Sequence, residues 1–481
     1  MIYRKTWFDY VLWAVYAGLC VMLLAFTGYH IYVSYVGLPL ARLGAFLVFP
    51  VLVLAYLGLR LSSRTLGRKH GVLSRRAAML ETSVVSASFI FGLIIRISKV
   101  LHTPPGVVAG PFYEQALIKV EQEAMPLTRG VSNLYVRCLS AVFSFLGNGA
   151  ASAMLFQVFL QLLAMAFGFC VVKKAAGSLA AGVSLLMLSF SEIFLDKISV
   201  ADPECLFLVV YLFGLFLIIS FLKAVLGGEI GKGCFLPAVF LGIILGGLAY
   251  LELWCATLLL FLAGLFTGKY QMPEYRKHCL SVFGVTVFSC VAGFFGAVTV
   301  DCAVRGASFL NCLFGWFFPY LLTGFRERFF GVFDGRYMFW AVLFLAAAFL
   351  VFEFIRGGKE QNYTLWFLPC ILTTVLMLSG FGRMDFEIVA AFLWSVMAGL
   401  GVKNCVSGGQ AEAVLKKIEE INEMAEEPET LLLKEEKPRF IENPLPLPKK
   451  HVKREMDYDY EVPEEDMHYQ VEIEQGDDFD Y

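Results

Sequence analysis

The chain has 481 residues, is 58% hydrophobic and only 17% charged, and carries 46 phenylalanines and a formal net charge of −2. Soluble domains hold roughly 25% charged and 45–50% apolar residues, so a soluble globular enzyme and a disordered chain are both excluded. A nucleic-acid binder would need a basic surplus to neutralise phosphates, and none exists.

The small net charge averages two unlike parts. Residues 407–481 hold 22 acids and 9 bases, which leaves 19 acids and 30 bases in the first 406. The pattern predicts an all-α polytopic membrane protein with about 12 transmembrane helices, external interfacial helices and a disordered acidic cytoplasmic tail.

A spanning helix needs about 20 mainly apolar residues. The predicted spans are 8–26, 43–60, 79–98, 149–172, 177–195, 204–223, 235–250, 251–267, 279–300, 337–355, 364–380 and 384–402. The first has a basic start and no small-residue cleavage site after it, so it reads as a retained span. The pair 235–250 and 251–267 has two readings: two short spans, or one long tilted helix. Glu252 lies between them. In the first case it sits at an outer turn in solvent; in the second it is buried and must be paired or protonated. Gly242 and Gly246 form a small-xxx-small pattern, the usual signature of close helix packing.

Lysines and arginines sort the connections. Arg4/Lys5, the basic run from Arg60 to Arg76, Lys173/Lys174, Lys223/Lys232, Lys269/Arg276/Lys277 and Arg356/Lys359 fall on one side. The short connections of the other set hold only Arg42, Lys197 and Arg383. The basic set is expected in the cytoplasm, with both termini inside and the long loops 99–148 and 301–336 outside. The first loop opens on Pro104, Pro105 and Pro111, continues as a helical FYEQALIKVEQEA, and ends in NLYVRCLSAVFSFLG. That last stretch is too short to span and suits the interface. The second loop holds SFLNCLFGWFFPYLLTGFRERFF, also apolar and aromatic. An interfacial anchor is its plain reading; walls of an outer cavity are the functional one.

In the tail, Val414, Ile418 and Ile421 fall at helical spacing. A proline-punctuated acidic stretch follows, with Tyr458, Tyr460, Tyr469 and Tyr481 among the acids. Disorder is expected there, serving as a solvated spacer or as a docking segment for a cytoplasmic protein partner.

The 12 cysteines show no CxxC spacing, so no zinc or thioredoxin-like motif is signalled. Most fall in apolar runs, where a thiol acts as a small hydrophobe; Cys302 and Cys312 share one outer loop and could pair. The six histidines stand apart, and no P-loop, zincin or nucleophile-elbow motif occurs. No cofactor is indicated. Outer acids could bind a divalent metal, but no ligand spacing points to one. Ionisable residues that converge on the outer side are the functional candidates. They include Glu114, Glu121, Glu123, Glu192, Asp196, Asp202, Glu204, Glu252, Asp301, Arg305, Arg326, Arg328, Asp334, Arg336, Arg383 and Asp385.

The order of FGLIIRISKVL (with Arg96), FYEQALIKV, NLYVRCLSAVFSFLG, ISVADPECLFLVVYLFGL, LGGLAYLELWCATLLLFLAGL and FGRMDFEIVAAFLWSVMAGLG covers residues 79–402. It resembles the GT-C integral-membrane glycosyltransferases, especially those similar to protein O-mannosyltransferases and aminoarabinose transferases. The resemblance implies three parts: two extra N-terminal helices and a loop in 1–78, a GT-C-like core in 79–402, and a cytoplasmic tail in 403–481. It implies a multi-pass enzyme of a bacterial inner (plasma) membrane, acting in the cell envelope. The enzyme would sit among membrane lipids and use a polyprenyl-phosphate-linked sugar and an unidentified acceptor on the external face.

In that family an acid early in the first outer loop is the catalytic base. Acceptor attack needs a carboxylate within reach of the hydroxyl, and the leaving phosphate needs cationic stabilisation. By position the base is Glu114, with Asp202 or Glu204 as alternatives. Tyr113, Arg326, Arg328, Arg336 and Arg383 are the substrate- and phosphate-binding candidates. The chain departs from the family form, because Ala109, Gly110, Pro111 and Phe112 precede Tyr113 where an Asp is usual. A transporter or flippase of lipid-linked or anionic glycan, and a catalytically degenerate scaffold, are the competing readings.

Overall fold

The computed structural model describes residues 7–34, 53–63, 73–104, 110–122, 130–227, 234–266, 273–322, 337–356, 364–379 and 387–426. These residues hold helices and no strand. Residues 1–411 form one compact unit; of the second, 412–480, only 412–426 are described, and they are helical. The helices are α1 Trp7–Ser34, α2 Val53–Ser63, α3 Leu73–His102, α4 Pro111–Gln122, α5 Val131–Leu146, α6 Ala150–Ala176, α7 Ser178–Ser189, α8 Glu192–Asp196 and α9 Glu204–Gly227. Then come α10 Phe235–Leu251, a 3-10 helix Leu253–Phe266, α11 Pro273–Arg305, α12 Phe309–Leu322, α13 Tyr337–Arg356, α14 Thr364–Ser379 and α15 Glu387–Glu426. Among the described residues, six helices are long and apolar enough to cross a membrane. The protein is an all-α, multi-pass membrane protein.

Apolar length makes these helices, and small residues let them approach. Gly242 and Gly246 on α10 face α11 so closely that an added Cβ on Gly246 would stand 2.1 Å from Cys290 O. Gly293 on α11 answers them, with Ile243 O 2.6 Å from its Cβ position. Lipid offers no hydrophobic drive between helices, so close backbone packing of this kind holds them together. The centre of the bundle is aromatic. Tyr16 of α1 stacks on Phe367 at 4.5 Å and on Trp394 at 5.7 Å, and its hydroxyl donates to Ala347 O at 3.1 Å. Trp394 Nε1 donates to Thr374 Oγ1 at 2.9 Å, so its one polar atom is satisfied inside the core. A buried ion pair ties α2 to α13: Arg60 Nη1 meets Glu353, and the Tyr56 hydroxyl donates to the same carboxylate at 2.7 Å.

One expectation is corrected, and one open alternative is decided. The predicted span 177–195 is not one helix. It breaks at Phe190 and Ser191 into α7 and α8. The segment 235–267 consists of two helices with a reversal, since Leu248 and Leu258 both reach Gly214 of α9. Glu252 sits at that reversal in extended backbone, yet it is only 3% exposed. Gly130, at the start of α5, covers it: a Cβ there would lie 3.0 Å from Leu251 O and 3.9 Å from Glu252 Oε2. The second arm is wound as a 3-10 helix. At about 2.0 Å rise per residue its 14 residues reach about 28 Å, against about 21 Å as an α-helix. That is close to the thickness of a hydrocarbon core.

Candidate functional site

The expected outer end of the bundle carries three irregular pieces: the α4–α5 hairpin, the α7–α8 break with residues 197–203, and the reversal at Glu252. Irregular backbone at membrane depth survives only when its polar groups are satisfied by protein. Two glutamines one turn apart on α6 do this. Gln157 Nε2 donates to Asp202 O at 2.8 Å and to Val200 O at 3.1 Å, and contacts the Tyr135 hydroxyl at 2.8 Å. Gln161 Nε2 donates to Phe194 O, while its Oε1 accepts from Arg96 Nε at 2.8 Å.

Arg96 explains the break in the 177–195 run. Its Nη1 donates to Ser189 O at 3.1 Å and its Nη2 to Leu188 O at 3.5 Å. Carbonyls in the last turn of a helix lack intrahelical donors, and a cation there also meets the negative end of the helix dipole. The guanidinium therefore caps α7 where the apolar sequence alone would continue it.

Residues 197–204 form a charged clasp. Lys197 Nζ lies 3.0 Å from Asp202 Oδ2 and 2.7 Å from Glu204 Oε2, and Glu204 N donates to Asp202 Oδ1 at 3.2 Å. Burial pulls the Lys197 ammonium down, but the two carboxylates outweigh it and raise it above the ordinary lysine value. Nearby, Lys99 pairs with Asp196 at 3.0 Å. Asp202 and Glu204 are thus occupied by a cation.

Glu114 is placed differently. It lies exposed in the first turn of α4, with no side-chain partner among the described residues. Its backbone N–H donates to Gly110 O at 3.3 Å. Gly110 has a φ of 150°, which favours glycine, and its Cβ position is 3.6 Å from Ala201 O. The start of α4 therefore rests on the segment that the Lys197 clasp holds. Tyr113 donates its hydroxyl to Asn148 O at 3.0 Å and meets Phe143 edge-on at 5.5 Å. Lys119 of α4 lies within electrostatic reach of Arg137 of α5. Burial, and then Arg137, pull the Lys119 ammonium below its ordinary value.

The structure thus brings Tyr113 and Glu114 together on α4, and Asp202 and Glu204 together one layer away. Arg326, Arg328, Arg336 and Arg383 lie outside the described residues, as do Glu123, Asp334 and Asp385. Among the described residues no group of three acids, histidines or cysteines is arranged for a metal. Sequence reasoning missed Gln157, Gln161 and Lys197 as site-building residues. The glutamines were signalled by their four-residue spacing in an otherwise apolar run, and Lys197 by two acids within seven residues.

The fold defines a class, the all-α polytopic membrane proteins. No protein-family model matches the sequence, and no curated protein matches it. Two solved structures of an archaeal enzyme resemble the chain. One is the oligosaccharyltransferase AglB of Archaeoglobus fulgidus, in complex with an inhibitory peptide and a dolichol-phosphate. It is 13% identical, with a TM-score of 0.46, over 67% of this chain and 50% of the other. The second is the Archaeoglobus fulgidus oligosaccharyltransferase in complex with Zn and sulfate. It is 13% identical, with a TM-score of 0.41, over 70% of this chain and 51% of the other. The chain spans about half the length of these structures.

Proposed function

We propose that the protein is a membrane glycosyltransferase. It moves a sugar from a polyprenyl-phosphate donor to an acceptor hydroxyl on the external face. The observation that carries the reading is the contrast between Glu114 and the other two acids. Glu114 stands exposed on α4, in the loop expected outside and next to the position at which the GT-C resemblance expects a base, and its carboxylate has no partner among the described residues. Asp202 and Glu204 are held by Lys197. Glu114 accepts the acceptor's proton as the hydroxyl attacks the sugar's anomeric carbon, and the lipid phosphate leaves with the bonding pair. Lys119 and Arg137, two cations within electrostatic reach of each other on the same hairpin, would stabilise the departing phosphate.

The test uses membranes containing the full chain and a panel of polyprenyl-phosphate sugars. Wild type should release sugar from one of them, and Glu114→Gln at equal protein level should lower that turnover by at least about 100-fold, the lower range for general-base catalysis. Unchanged turnover in the Gln variant removes Glu114 as base. No release from any donor overturns the transferase reading, and donor appearing intact in the vesicle lumen would favour a flippase.

A further inference from the structure

We propose that Cys302 and Cys312 form an intramolecular disulfide that pins α12 to the end of α11. Cys302 sits in the last turns of α11 and Cys312 in the first turn of α12. Gly306, at a φ of 62°, supplies the left-handed residue that folds the two ends together, and Ala307 N donates to Cys302 O at 3.2 Å. Ser308 O then accepts from Cys312 N at 3.1 Å and lies 3.9 Å from Cys302 Sγ. Ser308 O is thus shared by the Cys302 thiol and the Cys312 backbone, so the turn brings the two cysteines, both free thiols in this structure, to one carbonyl.

The surroundings agree with the geometry. Cys302 and Cys312 share a small buried cluster with Val298, covered by Tyr250, Phe294 and Leu313, apart from the main core. Cys20, Cys205, Cys255, Cys290, Cys370 and Cys405 are instead dispersed through that core, as small hydrophobes. Residues 303–311 between the pair are all exposed, so an oxidant can approach from the turn. The positive-inside pattern assigns this hairpin to the external side, and disulfides persist outside the reducing cytoplasm.

The chemistry is ordinary thiol–disulfide exchange with an external disulfide-bearing oxidant. Cys302, 8% exposed against 1% for Cys312, attacks first as its thiolate. The oxidant's S–S bond breaks, a mixed disulfide forms, and one thiolate leaves. The Cys312 thiolate then attacks the Cys302 sulfur and expels the second. Two electrons pass to the oxidant, and the two cysteine protons end on its two thiols. Closing the ring holds Trp316, whose Nε1 donates to Tyr250 O at 2.9 Å, and so fixes the aromatic α12 against the end of α10.

Differential labelling of the full chain in native membranes tests this. Membranes are quenched in acid, denatured and treated with N-ethylmaleimide, then reduced and treated with the heavy reagent. In wild type, Cys302 and Cys312 should carry only the heavy label. In Cys302→Ser, Cys312 should switch to the light label, and in Cys312→Ser, Cys302 should switch. Light label on both cysteines in wild type overturns the proposal. So does a disulfide-linked dimer on a non-reducing gel that Cys302→Ser abolishes. Neither outcome depends on whether the chain transfers sugar.

Discussion

Two neighbouring glycines on α10 should respond oppositely to the same methyl group. An added Cβ at Gly246 would meet Cys290 O at 2.1 Å and Phe294 N at 2.5 Å, whereas at Gly247 nothing lies within 4 Å. The atoms in the way at Gly246 are backbone, so no side-chain rotation relieves the clash. The α10 and α11 axes must part by about 1 Å to restore contact distance, and overpacking of this kind costs about 1–3 kcal/mol. Both alanines gain the same helix propensity, up to about 1 kcal/mol over glycine. That term cancels between the variants, so their difference isolates the helix–helix contact at about 1–3 kcal/mol in favour of Gly247→Ala. The assay is the apparent melting midpoint of each variant in one detergent–lipid mixture. Gly247→Ala should melt at or above wild type and Gly246→Ala several degrees below Gly247→Ala. Equal midpoints, or a higher one for Gly246→Ala, would refute the close α10–α11 packing.

The buried ion pair between α2 and α13 should show the asymmetry of such pairs. Glu353→Gln removes the carboxylate that the Arg60 cation meets and should cost up to about 3–5 kcal/mol, while Arg60→Met with Glu353→Leu should restore most of it in the same melting assay. Lys197→Met removes the cation that Glu204, only 5% exposed, meets, and should destabilise by up to a similar ~3–5 kcal/mol. Asp202→Asn, at a more exposed partner, should cost clearly less by the same assay. The pH dependence of the clasp has a definite sign. Because the Lys197 value is raised in the fold, its stabilisation is complete below the unfolded lysine value of about 10.4 and is lost only above it. Wild type minus Lys197→Met should therefore give a constant midpoint difference from about pH 7 to 9, and a difference that shrinks across that window would contradict the assignment.

What was legible in the sequence was whatever depends on local pattern. Apolar runs marked the helices, and Gly242 and Gly246 marked the tightest packing. Features made by distant partners were not legible. Arg60 reads as one of several cytoplasmic arginines, and nothing local shows that it meets Glu353 across 293 residues. The run 177–195 is apolar enough to pass as one span, yet it breaks where Arg96, 93 residues before Ser189, donates to the carbonyls of the last turn. Glu252 follows the same logic. The reversal was one of two local readings, but its burial under Gly130 comes from a loop 122 residues away in the chain. In each case a polar group inside apolar sequence was visible, and its partner was not. Lipid explains the link between the two. A polar side chain at membrane depth persists only if it satisfies backbone or charge that the apolar residues cannot. Arg96, Gln157, Gln161 and Lys197 all bind one irregular segment, residues 188–204, so these isolated polar letters jointly mark where the helices stop being regular. That segment is also the one on which Gly110, and with it the start of α4 and Glu114, rests.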